Sequence, residues 1–169
     1  MTYILAVFCA VLVVAADQVT KFIAASNLTA SSKAIPVLGG LFNIQFTYNS
    51  GAAWSILENK TWLLIGISLI VMAICIYMLI KKTYGSKLMF WAICLVLAGG
   101  MGNLADRIFR GGKVVDFIQF GFFPSFPVFN VADIAICTGV TMVLVCFVVD
   151  SVKEARESKK AKSVENGSK

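Results

Sequence analysis

The chain of 169 residues carries nine carboxylates and no histidine. Asp17, Asp106, Asp116 and Asp133 lie within or beside apolar segments, while Asp150, Glu154, Glu157 and Glu165 belong to the charged C-terminal region. An acid at membrane depth is costly and by default points to function. The missing imidazole excludes HExxH zinc sites, Ser–His and Cys–His nucleophile pairs, and histidine proton relays. Two carboxylates that share one proton can still activate water. The ionised member takes a proton from water while the protonated member polarises the scissile carbonyl. Like charges held about 3 Å apart cannot both ionise, so the pair stays half-protonated. Such chemistry needs no metal, cofactor or covalent intermediate.

Asp116 and Asp133 form the natural pair. Asp116, in Val114-Val115-Asp116-Phe117-Ile118, is flanked by apolar residues and has only Lys113 as a local partner. Desolvation in that setting raises a carboxyl pKa. Asn130 fits a helix N-cap and Asp133 the acid of a capping box, a structural role that stands beside the chemical one. The helix N-terminus favours negative charge at Asp133, which leaves Asp116 as the proton holder.

Asp17 and Lys21 are an i,i+4 pair with the acid first, the favourable order, so mutual neutralisation competes with a direct chemical role. Asn103 and Asp106 share a helix face, Arg107 follows, and Gly99-Gly100-Met101-Gly102 lets another backbone approach closely. This set reads as a polar network bracing a site, with Arg107 able to reach a phosphate or a carbonyl. The motif Asn103-Leu104-Ala105-Asp106 is echoed by Asn130-Val131-Ala132-Asp133, placing an amide and an acid on one helix face twice.

The elements that must hold these residues are set by composition. With 59% hydrophobic and 14% charged residues, the chain lacks the polar surface of a soluble domain. Mean hydropathy is +0.84, and segments 3–25, 62–80, 88–104 and 128–149 are each long and apolar enough to span a bilayer. Residues 1–16 would also pass as a signal peptide ending at Val14-Ala15-Ala16, but Met1-Thr2-Tyr3 offers no basic n-region. The expected architecture is an α-helical polytopic membrane protein, one embedded domain over 1–152 with a charged tail over 153–169.

Lys81, Lys82 and Lys87 occupy the turn between spans two and three, and the basic tail follows span four. The positive-inside rule puts both regions, and both termini, in the cytoplasm. Residues 26–61 and 105–127 then face outward, and the four membrane-depth acids gather near outer helix ends. Net charge is +6, but the tail mixes its lysines with Glu154, Glu157 and Glu165 and reads as solvated rather than nucleic-acid-binding. Cys9, Cys75, Cys94, Cys137 and Cys146 lie in apolar runs without CxxC spacing and read as small buried hydrophobes.

Ile44-Gln45-Phe46-Thr47-Tyr48 alternates like a strand between glycine-rich turns. The second outer segment carries Phe117, Phe120, Phe122, Phe123, Phe126 and Phe129, with Pro124 and Pro127 forbidding a long helix. Those rings suit either an interfacial anchor or the wall of an acyl-chain groove.

Together these residues resemble the lipoprotein signal peptidases, the signal peptidase II family of bacterial membrane aspartyl proteases. Five blocks in order carry the resemblance: Asp17-Gln18-Val19-Thr20-Lys21, Asn49-Ser50-Gly51-Ala52-Ala53, Gly102-Asn103-Leu104-Ala105-Asp106-Arg107, Val114-Val115-Asp116-Phe117 and Phe129-Asn130-Val131-Ala132-Asp133. The resemblance implies four transmembrane helices, a small extracytoplasmic β-cradle and an outer helical segment. It implies a catalytic dyad of Asp116 and Asp133, with Asn49, Gly51, Asn103, Arg107 and Asn130 around dyad and substrate. Asp17, Lys21 and Asp106 match positions that support the site. The implied substrate is a diacylglyceryl-modified prolipoprotein, cut just before its lipidated cysteine near the outer leaflet of the bacterial cytoplasmic membrane. Membrane lipids, a monomeric state and peptide inhibitors such as globomycin complete the implied partners.

Three other readings compete. A small proton- or cation-coupled transporter would place an acid near mid-span. A docking factor would have no need of two separate buried acids. A Ser–Lys peptidase could pair Lys21 with Ser26 or Ser50, though no spacing recommends it.

Overall fold

The computed structural model describes residues 2–52, 54 and 56–167, with side chains described from 3 to 158 within that set. In chain order the elements are α1 (Thr2–Asn27), β1 (Ile35–Val37), a 3-10 turn (Leu38–Gly40), β2 (Phe42–Asn49), α2 (Thr61–Lys81), α3 (Lys87–Phe109), β3 (Val114–Phe120) and α4 (Val131–Gly167). All four α-helices are long and apolar enough to cross a membrane. A helix that is apolar all round can only be satisfied in lipid or a deep core. On α2, Ile67, Ile70, Ile74, Tyr77 and Ile80 are all exposed, so lipid is the medium that fits.

Helix α3 is the hub, packing against α1, α2 and α4. The α3–α4 seam is tight because both helices present glycine. A Cβ on Gly99 would collide with the Ala132 carbonyl, and one on Gly139 would come within 2.7 Å of the Ala92 carbonyl. Ser86 caps α3, its hydroxyl accepting from the Met89 N–H at 3.1 Å. The other end of α3 turns through Gly111 and Gly112, whose φ values of 62° and 87° suit glycine, and so launches β3.

The three strands form an antiparallel sheet in the order β1-β2-β3. Ile44 faces Ile118 and Thr47 faces Asp116, with an irregularity between the two pairings. Ala24 of α1 packs with Phe46, Val115 and Phe117, seating the sheet on the end of the bundle. Since β1 and β2 come from the first predicted outer segment and β3 from the second, both segments lie at one end of the helices, as expected.

Several boundaries differ from expectation. The third span runs on to Phe109, and the fourth helix begins at Val131 rather than 128. Phe129 is held extended because it bridges Ile118, with N–H···O distances of 2.8 and 2.9 Å in the two directions. Strand β2 is longer at both ends than the predicted 44–48, and β1 and β3 are additional. Of the implied outer helical segment, the described residues show 3-10 geometry at Leu38–Gly40 and at Trp54 and a turn over 56–59, while 53 and 55 lie outside the described residues. Helix α4 continues unbroken through the charged tail to Gly167. All five cysteines are free; Cys75 and Cys146 are buried, but Cys137 is exposed on α4.

Candidate active site

The bridge between Ile118 and Phe129 folds the aromatic segment back on itself, so Asn130 and Asp133 return to the strand that carries Asp116. Asn130 is fully buried and sits between the two acids. Its amide donates to Asp116 Oδ1 at 2.6 Å, and its backbone N–H donates to Asp133 Oδ2 at 3.0 Å. The Asp133 N–H donates back to Asn130 Oδ1 at 2.9 Å, which completes the capping box. The same amide also lies 3.1 Å from Asn103 Oδ1 and 3.3 Å from the Val115 carbonyl.

Each acid receives a second amide. Asn49, at the end of β2, donates to Asp116 Oδ2 at 3.0 Å, and its own Oδ1 accepts from the Gly51 N–H at 2.9 Å. Asn103 of α3 donates to Asp133 Oδ1 at 2.7 Å. Asp116 is 1% exposed. Burial, and next the Asp133 carboxylate, push its carboxyl from 3.8 up to about 7, against the lowering pull of the Asn49 and Asn130 amides.

Behind this pair lies a second layer. Lys21 is completely buried, with Nζ 2.9 Å from Asp17 Oδ2, 2.9 Å from Asn103 Oδ1 and 3.3 Å from Asp106 Oδ2. All three ammonium donors are thereby engaged, so Lys21 is not available as the base of a Ser–Lys pair. Asp17 also accepts the Ala132 N–H at 2.9 Å, fastening the first turn of α4 to α1. Asp106 accepts the Val115 N–H at 3.0 Å and Arg110 Nε at 3.1 Å, fixing the start of β3. Gly102 leaves room for this layer, because a Cβ there would lie 2.5 Å from Asp17 Oδ2.

Arg107 donates to the Gly51 carbonyl at 3.0 Å and to the Asn103 carbonyl at 3.4 Å. Its Nε is buried without a partner among the described residues. All ten predicted residues thus meet in one cluster. Ala53, the last residue of its block, lies outside the described residues. The residue missed is Gln18, whose amide lies 3.1 to 3.2 Å from Asp17 Oδ2, the Gly102 carbonyl and Asp106 Oδ1. A glutamine next to Asp17 inside an apolar span was the available signal. Lys113 is exposed and is not what holds Asp116.

The signal peptidase (SPase) II family matches residues 9–149. The chain belongs to that family. It is therefore a membrane protease of the aspartic type. The lipoprotein signal peptidase of Bacillus pumilus (strain SAFR-032) is 42% identical over 106 residues, covering 63% of this chain and 67% of the relative. That of Caldanaerobacter subterraneus subsp. tengcongensis is 42% identical over 113 residues, or 67% of this chain and 76% of the relative. A bacterial membrane enzyme solved by the in meso method at 2.3 Å resolution superimposes with a TM-score of 0.80 at 36% identity, covering 86% of this peptidase and 88% of that chain. The peptidase is accordingly a multi-pass bacterial membrane protein with a small antiparallel sheet at one end of four helices.

Proposed function

We propose that this peptidase removes the signal peptide from diacylglyceryl-modified prolipoproteins, cutting just before the lipidated cysteine with water activated between Asp116 and Asp133. The observation that carries the reading is Asn130, bonded to both carboxylates while the buried Asp116 is held at about 7. A carboxyl with that value keeps its proton near neutrality, as a half-protonated pair requires.

In the proposed cycle Asp133 takes a proton from water as the water oxygen attacks the scissile carbonyl. Asp116 gives its proton to the carbonyl oxygen. Collapse of the tetrahedral intermediate breaks the C–N bond, the leaving amine takes the proton held by Asp133, and the proton on the former carbonyl oxygen returns to Asp116. Arg107 and the Gly51 backbone, already bonded together, would lie beside the bound peptide. The two acyl chains of the substrate would remain among apolar helix faces. The basic α2–α3 turn favours a cytoplasmic location for both termini and an outer-leaflet position for the dyad. The reading takes the enzyme as a monomer, and peptides of the globomycin type would compete at the dyad.

The test is cleavage of a diacylglyceryl lipopeptide by purified protein, with mass spectrometry to locate the cut. Asp116→Asn and Asp133→Asn are expected to lose at least about a thousandfold in rate while staying folded. Normal cleavage by either variant, or a cut elsewhere in the peptide, would overturn the proposal.

A further inference from the structure

A groove of about 540 Å³ runs along α3 between α1 and α2. It exists because both helices lean on α3 rather than on each other. Along α1 it extends from Tyr3 to Gln18, which is about 22 Å at 1.5 Å per residue. One leaflet is roughly 15 Å deep, so the groove is long enough for a whole acyl chain. Its volume is in the range of a ligand site.

The two ends differ. At one end Gln18 closes the groove, with its amide turned onto Asp17, Gly102 and Asp106. Asp116, Asp133, Asn49 and Asn130 do not line it. At the other end Phe90 lines the groove and stacks edge-on with Tyr3, whose hydroxyl is 2.8 Å from that of Tyr84. That bond ties the mouth to the α2–α3 turn, where Lys81, Lys82 and Lys87 are exposed. None of the three has an ionic partner among the described residues. Lys82 is fixed at φ 55°, with its N–H bonded to the Met78 carbonyl, so the turn is a shaped one.

An apolar slot ending beneath unpaired lysines is complementary to one kind of molecule. We infer that this groove binds an anionic phospholipid, with one acyl chain between α1 and α2 and the phosphate against Lys81, Lys82 and Lys87. A basic site between membrane helices favours anionic headgroups over zwitterionic ones. The bound lipid would fill the gap between α1 and α2 and act as a structural component of the bundle, on the opposite side of Gln18 from the dyad.

Native mass spectrometry of the purified full chain tests this, using phosphatidylglycerol and phosphatidylcholine with identical acyl chains. The expected result is one retained phosphatidylglycerol per chain, bound about tenfold more tightly than phosphatidylcholine. The triple variant Lys81→Gln, Lys82→Gln, Lys87→Gln should abolish that preference. Ala10→Phe, which fills the slot, should weaken retention of both lipids about tenfold. Equal binding of the two lipids by the unmodified chain would overturn the inference. Displacement of phosphatidylglycerol by the diacylglyceryl lipopeptide would also overturn it, because the groove would then belong to the substrate.

Discussion

Asn130 and Asp133 hold each other reciprocally: the Asn130 N–H donates to Asp133 Oδ2 at 3.0 Å, and the Asp133 N–H donates to Asn130 Oδ1 at 2.9 Å. One capping box therefore starts α4 and orients an acid of the proposed dyad. The Asn130 amide remains free to reach Asp116, so substituting it affects both helix and site. Asn130→Ala is expected to cost about 1 kcal/mol of stability from the cap and at least about a hundredfold in cleavage rate. Asn130→Asp keeps the cap acceptor but adds a third carboxyl group, so it should retain the fold while losing activity. Thermal unfolding in detergent alongside lipopeptide cleavage separates the two effects.

Activity should depend on the proton held by Asp116. With that carboxyl at about 7, cleavage is expected to decline as pH rises past about 7. The Asn49 amide lowers the Asp116 value. Asn49→Ala should accordingly shift the alkaline limb upward while reducing the maximal rate about tenfold. A pH–rate profile whose alkaline limb does not move with Asn49 would contradict the assignment.

Stability should follow the same proton with a definite sign. Folding raises the Asp116 value from 3.8 to about 7, so the native state binds the proton more tightly than the unfolded chain does. This contribution is complete below about pH 3.8 and is lost as pH rises through about 7. Between about pH 5 and pH 8 the melting temperature of the wild type should fall, and that of Asp116→Asn should fall less. Parallel curves would show that Asp116 does not titrate in this range.

Lys21 compensates two buried acids at once. Lys21→Met leaves Asp17 without a cation and Asp106 with Arg110 alone, at an expected cost of about 3–5 kcal/mol. Gln18→Ala removes neutral hydrogen bonds from the same layer and should cost about 1 kcal/mol. A thermal-shift comparison in detergent checks this ranking, and equal losses from the two substitutions would refute it.

Much of this was legible in the sequence because it is local or compositional. Four spans follow from apolar runs, the Asp17–Lys21 pair from its spacing, and the Asn130–Asp133 box from the capping pattern. What the local pattern does not carry is non-local. By its neighbours Asp116 reads as an acid with only Lys113 nearby, and only the family resemblance set Asn49 and Asn130 around it; strand pairing brings Asn49 alongside and the Ile118–Phe129 bridge returns Asn130. Strand register and chain reversal are set by tertiary packing, so a periodicity search along 114–130 does not find them. The same bridge explains why the fourth helix starts at Val131, since Phe129 is drawn into the sheet. Gln18 escaped because one glutamine in an apolar span carries no spacing signal of its own.

The anchorage of α4 also bears on biosynthesis. Asp133 and the preceding cap Asn130 come with α4, the fourth span to leave the ribosome, and the Ala132 N–H reaches Asp17 of α1. Until α4 inserts and docks, Asp116 lacks the Asn130 amide and the polar cluster stays open. On the proposed dyad, a nascent chain would hold an incomplete set of groups, and hydrolytic competence would arrive only when α1 and α4 have met.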